Sequence, residues 1–443
     1  MTTTGGTEHA RVNEHRRREA NAEALNRLVT SRPFLVDVAR AGDVVPGMTP
    51  TTILTSGAPL PWPEYTGGQR RAILYGAVYE GLAATVEEAE AALDRGDIQV
   101  RSTQQHSCIG ALAGIYTASM PVFVVRDEAH GNTAFCNFYE GKNRFRLSIG
   151  ALDEGITQRL RWLETTMAPV IAECLRITGP IALHPLMARA LRFGDELHGR
   201  NTAATLLFQR ELTPALVKLA GRPGWESKIT EVVDFLGTND FTFLRLGLAA
   251  AKATADAAHG IPFSSIITGM SLNCREFAVR VSGLGDEWFG GEYPELEGRF
   301  FGNFTADDSE WVGGESCFTE VIGLGGLAQA CAPALTDHQG GNYQKMMDVN
   351  RAMYSITFGE HPTFRIPPFD FRGAPVGIDL FEVVASGITP VIDAGLAGRD
   401  GGLIGVGVLR PQLGAFTTAA AAYADRYGLS PDCSSAGQRD VPS

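Results

Sequence analysis

Apolar residues recur along this chain with two periods, and the switch between them divides it into parts. From Pro33 to Gly150 they come in short runs cut by Gly and Pro: FLVDV, VVPGM, TTILTSGAPLPWP, IQVRS, PVFVVRD (121–127), TAFCNFYEG (133–141) and RFRLSIG (144–150). Such runs predict strands and turns, and the last three alternate like an antiparallel meander joined by EAHGN and GKN. Two stretches in between, QRRAILYGAVYEGLA and VEEAEAALDRG, predict helices, the second stopping at Gly96.

From about 155 to 260 the period is helical, in ITQRLRWLETTMAPVIAECLRI, in Leu191–Leu212 and in TFLRLGLAAAKATADAAHG. On a helical wheel Ala190, Phe193, Leu197, Ala204 and Phe208 share one arc while Asp195, His198, Thr202 and Gln209 lie roughly opposite. Leu191–Leu212 is therefore expected to be one helix with a chemical face, Asp195 sitting a turn before His198. Strand texture returns in SSIITGMSLNCREFAVRVSG, a hairpin turning near Asn273; a helix around YQKMMDVNRAMYSITFG and a strand at IGVGVL follow. The expectation is an α+β fold, two mixed α/β units around a mainly helical middle. Its parts are a tail and charged helix (1–30, the tail 1–10 and the helix from about Val12 to Val29), a first α/β domain (31–154), a helical domain (155–260), a second α/β domain (261–427) and a tail (428–443). The site is expected where loops of the two sheet units meet the helical middle.

Charge narrows the function. A net charge of −12 over 443 residues argues against a general nucleic-acid binder, which needs a basic surface. The RRR at 16–18 alternates with Glu14, Glu19 and Glu23 at helical spacing, so surface ion pairs are expected there. Seven cysteines form no CxxC pair, as suits free thiols in a reducing compartment. With no signal-peptide pattern and no apolar run of about eighteen residues, a cytoplasmic protein without membrane spans is expected.

Familiar catalytic devices are missing: there is no GxSxG, P-loop, HExxH or zinc-spaced His/Cys set. Four constellations remain, each with a plainer reading beside it. His106, in the loop Gln104-Gln105-His106-Ser107-Cys108, could meet a ligand or be an ordinary loop residue, and Cys108 reads better as a buried thiol than a nucleophile. Asp195 and His198 could form a general base, or simply a solvated face. Asn239-Asp240 opens a helix, where capping is the competing explanation. Asn273, Arg275, Glu276 and Arg280 lie in the hairpin, ahead of Glu315, Ser316, Thr319 and Glu320; the two arginines could hold a carboxylate or phosphate, or pair with a neighbouring acid. Gly323, Gly325 and Gly326 of GLGG could offer N–H groups to an anion, or mark tight packing.

Taken together, FLVDVARAGDVVPGM, ILTSGAPLPW, GAVYEGLA, SMPVFVV, GDELHGRNTAAT, FAVRVSGLGDEWF, FTEVIGLGG and DFRGAPVGID…GITPVIDAGLA resemble, in order over roughly 30–415, the bacterial family containing one subunit of oxamate carbamoyltransferase. The resemblance implies an FdrA-type partner, itself similar to succinyl-CoA synthetase, and a third subunit. It implies the interconversion of oxalurate plus phosphate with oxamate plus carbamoyl phosphate, late in anaerobic allantoin breakdown. The matching positions are His106, Asp195, Glu196, His198, Arg200, Asn201, Asn239, Asp240, Asn273, Arg280, Glu315, Thr319 and Glu320. Against the family pattern, Gln104 and Gln105 stand where a histidine and an acid are usual, Phe241 replaces a histidine, and Arg275 replaces a small or hydroxyl residue. These departures point to a changed substrate or a changed division of labour between subunits.

Carbamoyl transfer between such anions needs cations, oxyanion donors and a proton for the leaving nitrogen. Asp195, His198 and His106 are the expected catalytic residues, with Asp195 orienting His198. Arg200, Asn201, Asn239, Asp240, Asn273, Arg275, Arg280, Thr319 and Glu320 are the expected substrate contacts. His198 and Asp195 are expected in a cleft shared with His106 and the Arg280 hairpin. No cofactor or resident metal is expected, although Glu315 and Glu320 could recruit Mg²⁺ with phosphate in place. The competing readings are a binding or scaffold subunit whose partner does the chemistry, and an amide- or acyl-transfer enzyme of specialised metabolism.

Overall fold

The computed structural model describes residues 4–336 and 341–429, with side chains from residue 11, and its architecture is α+β. The first helix spans Thr4–Thr30, so the expected tail is already helical from Thr4; most of the C-terminal tail, from 430, lies outside the described residues. Arg17 is not on the surface as expected. It is buried, with Nη1 2.8 Å from Asp379 Oδ2, and Asn21 Nδ2 reaches the Ser265 hydroxyl at 3.0 Å. Arg18, paired with Glu14 at 3.0 Å, does sit outside.

A five-stranded sheet follows in the order Cys108–Ile109, Thr133–Asn137, Pro121–Asp127, Pro33–Arg40, Ile181–Ala182. The first two arms of the expected meander pair antiparallel, Val122 opposite Asn137 and Arg126 opposite Thr133. The third does not form: the short strand Cys108–Ile109 pairs parallel with Thr133–Asn137 on that side, and Pro33–Arg40 pairs with the other edge of Pro121–Asp127. Residues 144–150 alternate suitably, but the buried Glu140 carboxylate accepts from Leu147 N at 2.7 Å and Ser148 N at 2.9 Å, which winds Leu147–Ile149 into a 3-10 turn. The predicted helices Gly67–Glu80 and Val86–Arg95, the latter closed by Gly96 in the left-handed conformation, lie between the parallel strands Thr52–Thr55 and Gln99–Ser102.

The helical middle comprises Glu154–Thr178 (with one π-helical turn at Leu163–Met167), Leu183–Arg192, Thr202–Ala220, Glu226–Thr238 and Thr242–Ala257. The single helix expected over Leu191–Leu212 is a correction: one helix ends at Arg192, the next begins at Thr202, and Phe193, expected in the apolar stripe, is 63% exposed. Nearly every side chain of Thr242–Ala257 is buried, as befits a helix apolar almost all round. Its charged residues Arg245, Lys252 and Asp256 fall at spacings that put them on one stripe.

Beyond it, Ile267–Leu272 and Phe277–Val281 form the predicted hairpin, extended by Trp288–Gly291. A second three-stranded sheet has Leu403–Arg410 between Glu295–Phe300 and Ile392–Ala397, and Thr357–Ile366 pairs with Arg372–Ile378. One buried apolar cluster runs through all these layers, from Ala24 to Leu429. No helix among the described residues is long and apolar enough to cross a membrane.

Candidate functional site

Between the helical middle and the sheet of Glu295–Phe300, Leu403–Arg410 and Ile392–Ala397 lies a cavity of about 510 Å³. One wall is apolar, with Leu296, Phe301, Trp311, Leu335 and Leu396; the polar wall carries His198, Arg200, Asn201, Asp240 and Asp393 together with Tyr139, Lys142, Arg146 and Arg245.

His198 comes from the loop that breaks the expected helix. Gly194 takes φ 100°, and Leu197 takes φ 77° with its side chain buried in the core, a conformation that costs a non-glycine residue on the order of 1–3 kcal/mol. The Glu196 carboxylate then gathers the turn, accepting from His198 N at 3.2 Å, Arg200 N at 2.9 Å and Gly199 N. Asp195 Oδ2 accepts from Ala204 N at 2.8 Å and so caps Thr202–Ala220, whose N-cap Asn201 makes no side-chain cap bond. Asp195 does not orient His198; its other oxygen faces Arg200 Nε at 3.4 Å.

The carboxylate that holds His198 is Glu320, expected as a substrate contact or, with Glu315, as a recruiter of Mg²⁺. His198 Nδ1 and Glu320 Oε1 are 2.8 Å apart, both groups buried. The same oxygen accepts from Gly326 N at 2.9 Å and Asp393 N at 3.2 Å. The GLGG glycines thus serve the protein's own groups, Gly325 N donating to Glu196 O at 2.8 Å. Close packing also demands them, since a Cβ on Gly326 would stand 1.9 Å from Val391 O.

Three acids surround one imidazole here, and protons settle the balance. Burial alone would lower the His198 pKa, but the Glu320 carboxylate, then Asp393, outweigh it and raise it. Burial and the neighbouring Asp393 push Glu196 well above the carboxylate range. Burial, then the Glu320 charge, lifts Asp393 to about 6. Glu196 and Asp393 are hydrogen-bonded to each other, so the pair shares a proton; Gln329 Nε2 steadies Asp393 Oδ1 at 2.7 Å. A histidine whose pKa is raised beside a hydrogen-bonded carboxyl pair is suited to donate and recover a proton.

The opposite side holds residues that sequence reasoning missed. Arg146 and Arg245 are buried, and the Nε of each has no partner; Arg245 Nη1 donates to Asn137 Oδ1 at 2.8 Å, Arg146 Nη1 only to Gly141 O at 3.4 Å. Both were hidden inside apolar runs, RFRLSIG and TFLRLG, whose only signal is a cation where the pattern buries it.

Other expected site residues do not reach the cavity. His106 is half-buried away from the cavity, its Nδ1 2.7 Å from Pro46 O, and Arg280 is buried against Asp256 at 2.7 Å and Thr268 O at 2.9 Å, so the shared cleft expected with His198 does not form. Arg275 donates from Nε to Glu64 O at 2.8 Å on the surface, while Asn273 Oδ1 ties the hairpin turn through Arg275 N at 2.8 Å and Glu276 N at 3.0 Å. Asn239 makes no side-chain cap; its Oδ1 accepts from Lys142 N at 2.8 Å and holds that loop. Thr319 is buried beside Glu320 with its hydroxyl unpartnered. Glu315 spends its carboxylate on Gly57 N, Gly110 N and the Thr103 hydroxyl at 2.8, 2.7 and 2.5 Å, so Mg²⁺ there would have to displace structural bonds. Among the described residues no group of three or more His, Cys, Asp or Glu could hold a metal ion. Cys108 is buried, its thiol pushed well up by burial. Of the departures from the family pattern, Phe241 lines the cavity, whereas Gln105 caps a turn through Ser102 N at 3.4 Å.

By class this is an α+β protein with a polar-walled internal cavity. Its relatives make that particular. The family model for "Oxamate carbamoyltransferase subunit AllG" matches residues 98–316. The oxamate carbamoyltransferase subunit AllG of Escherichia coli (strain K12) is 35% identical over 93% of this chain and 98% of its own. The uncharacterized protein YahG of the same organism is 37% identical over 93% of this chain and 86% of its own. A crystal structure of a conserved protein of unknown function from Enterococcus faecalis V583 superposes with a TM-score of 0.89 at 34% identity, covering 93% of this chain and 99% of that one. The chain belongs to the family of the oxamate carbamoyltransferase subunit AllG.

Proposed function

We propose that this chain carries the carbamoyl-transfer site of a cytoplasmic complex that interconverts oxalurate plus phosphate with oxamate plus carbamoyl phosphate in allantoin breakdown. An FdrA-like subunit and a third subunit complete it. The observation that carries the reading is His198, on the wall of a cavity lined by cations and held from behind by Glu320 at 2.8 Å. In the forward step a phosphate oxygen attacks the carbamoyl carbon of oxalurate, the bond from that carbon to the oxamate nitrogen breaks, and this nitrogen takes up a proton. His198, with Nδ1 committed to Glu320, supplies that proton from Nε2 and regains one as phosphate loses its own. Arg200, beside it, takes a substrate carboxylate. No cofactor is invoked, and Mg²⁺ would enter only with phosphate.

The test is turnover of the reconstituted complex. His198→Ala should lower kcat by about 10²–10⁴-fold, the usual worth of a general acid–base group. Unchanged turnover would leave this chain a binding subunit whose partner performs the chemistry.

A further inference from the structure

The far wall of the cavity holds two buried cations that no ion pair among the described residues answers. Arg146 and Arg245 are 6% and 2% exposed, and neither lies within ion-pair distance of an acid among the described residues. Glu140, the acid that acts on Arg146, has both oxygens occupied by Leu147 N and Ser148 N. Tyr139 covers one face of the Arg146 guanidinium at 5.6 Å, Nη1 reaches Gly141 O at 3.4 Å, and Nε is left without a partner. Burial lowers the Arg146 pKa; Tyr139 and Glu140 oppose it, and the like charges of Arg245 and Arg159 add to it. Arg245 also sits in the first turn of Thr242–Ala257, where the helix dipole opposes a cation. Buried charges persist in folded proteins when paired, and these two, with Lys142 on the same wall, are left unpaired at a cavity.

We infer that Arg146 and Arg245 form a subsite for a tetrahedral oxyanion, inorganic phosphate or the phosphoryl group of a phosphorylated substrate, with Lys142 at its rim. Two planar forks offer paired donors to several oxygens at once, and their charge matches a dianion better than a single carboxylate. The assignment rests on the cavity being the transfer site and gives it a direction: phosphate at the Arg146–Arg245 end, the proton at the His198 end.

Calorimetric titration of the full chain with inorganic phosphate, and separately with oxamate, tests it. Arg146→Gln and Arg245→Gln should each weaken phosphate binding by about ten- to a hundred-fold, the loss expected of hydrogen bonds to a charged group, with oxamate less affected. His198→Ala should lose turnover and should still show the further fall in phosphate affinity when Arg146→Gln or Arg245→Gln is added to it, so the two readings fail separately. Equal phosphate affinity in wild type and both glutamine variants overturns the subsite, as does a loss confined to oxamate. Wild-type crystals soaked in tungstate, a tetrahedral dianion, need no substitution: anomalous density between the two guanidiniums is expected, and density only elsewhere overturns the assignment.

Discussion

Helix Thr242–Ala257 carries a buried guanidinium at each end, one on it and one packed against it, and the two ends solve the same problem differently. Near its C-terminus Asp256 stands between two cations, Arg280 at 2.7 Å and Lys252 at 2.7 Å. Arg280 keeps one N–H without a partner, yet its charge is answered inside the fold. At the N-terminus Arg245 donates to the neutral Asn137 amide and has no acid at ion-pair distance among the described residues, and the second guanidinium nearby, Arg146, makes matters worse. A buried charge is thus informative through the company it keeps. Arg280 looked like a ligand contact in the sequence and is a structural strut, whereas Arg245 looked like part of a helix and faces open space.

Removing Asp256 tests the closed end most severely. Asp256→Ala should cost about 3–5 kcal/mol in chemical denaturation, because it strands two buried cations. Arg245→Met should leave stability within about 1 kcal/mol of wild type, or raise it, since no acid is stranded; a loss as large as that of Asp256→Ala would erase the contrast. The pH profiles should differ in sign. Asp256 is held down to about 2, against burial, by Lys252 and Arg280; its contribution is present above its unfolded value of 3.8 and disappears as pH falls through about 2. Asp393 is lifted to about 6, so its cluster loses stability as pH rises from 3.8 through about 6, and His198, raised above 6.5, extends the loss upward. Melting temperatures of Asp393→Asn should therefore decline less than wild type between about pH 4 and 6. The smallest effect is expected at the expected site residues that lie outside: His106→Ala should change stability by no more than about 0.5 kcal/mol.

Periodicity conveyed the long helices, the hairpin at Asn273 and the antiparallel pair 121–127 with 133–137, because each is set by local pattern. It failed where a buried carboxylate overrode the pattern. Glu140 turned a plausible strand into the Arg146 loop, and Glu196 with Asp195 turned a plausible helix into the His198 loop. Gly194 and Gly199 inside GDELHGRN were the available warning. His198, Arg200 and Asp240 were legible as candidates because polar residues stood out in that stretch. The Glu320 partnership was not, since it joins residues 122 apart in sequence.

Leu197 gives the His198 loop an unusual evolutionary position. Its backbone conformation favours glycine, yet its side chain is 1% exposed and anchors the loop in the core. Glycine there would relieve the backbone and release the anchor; another branched or aromatic residue would keep the strain and misfit the socket. Drift is blocked in both directions, so the spacing between Glu196 and His198 should change more slowly over time than the surrounding surface, whatever substrate the cavity comes to serve.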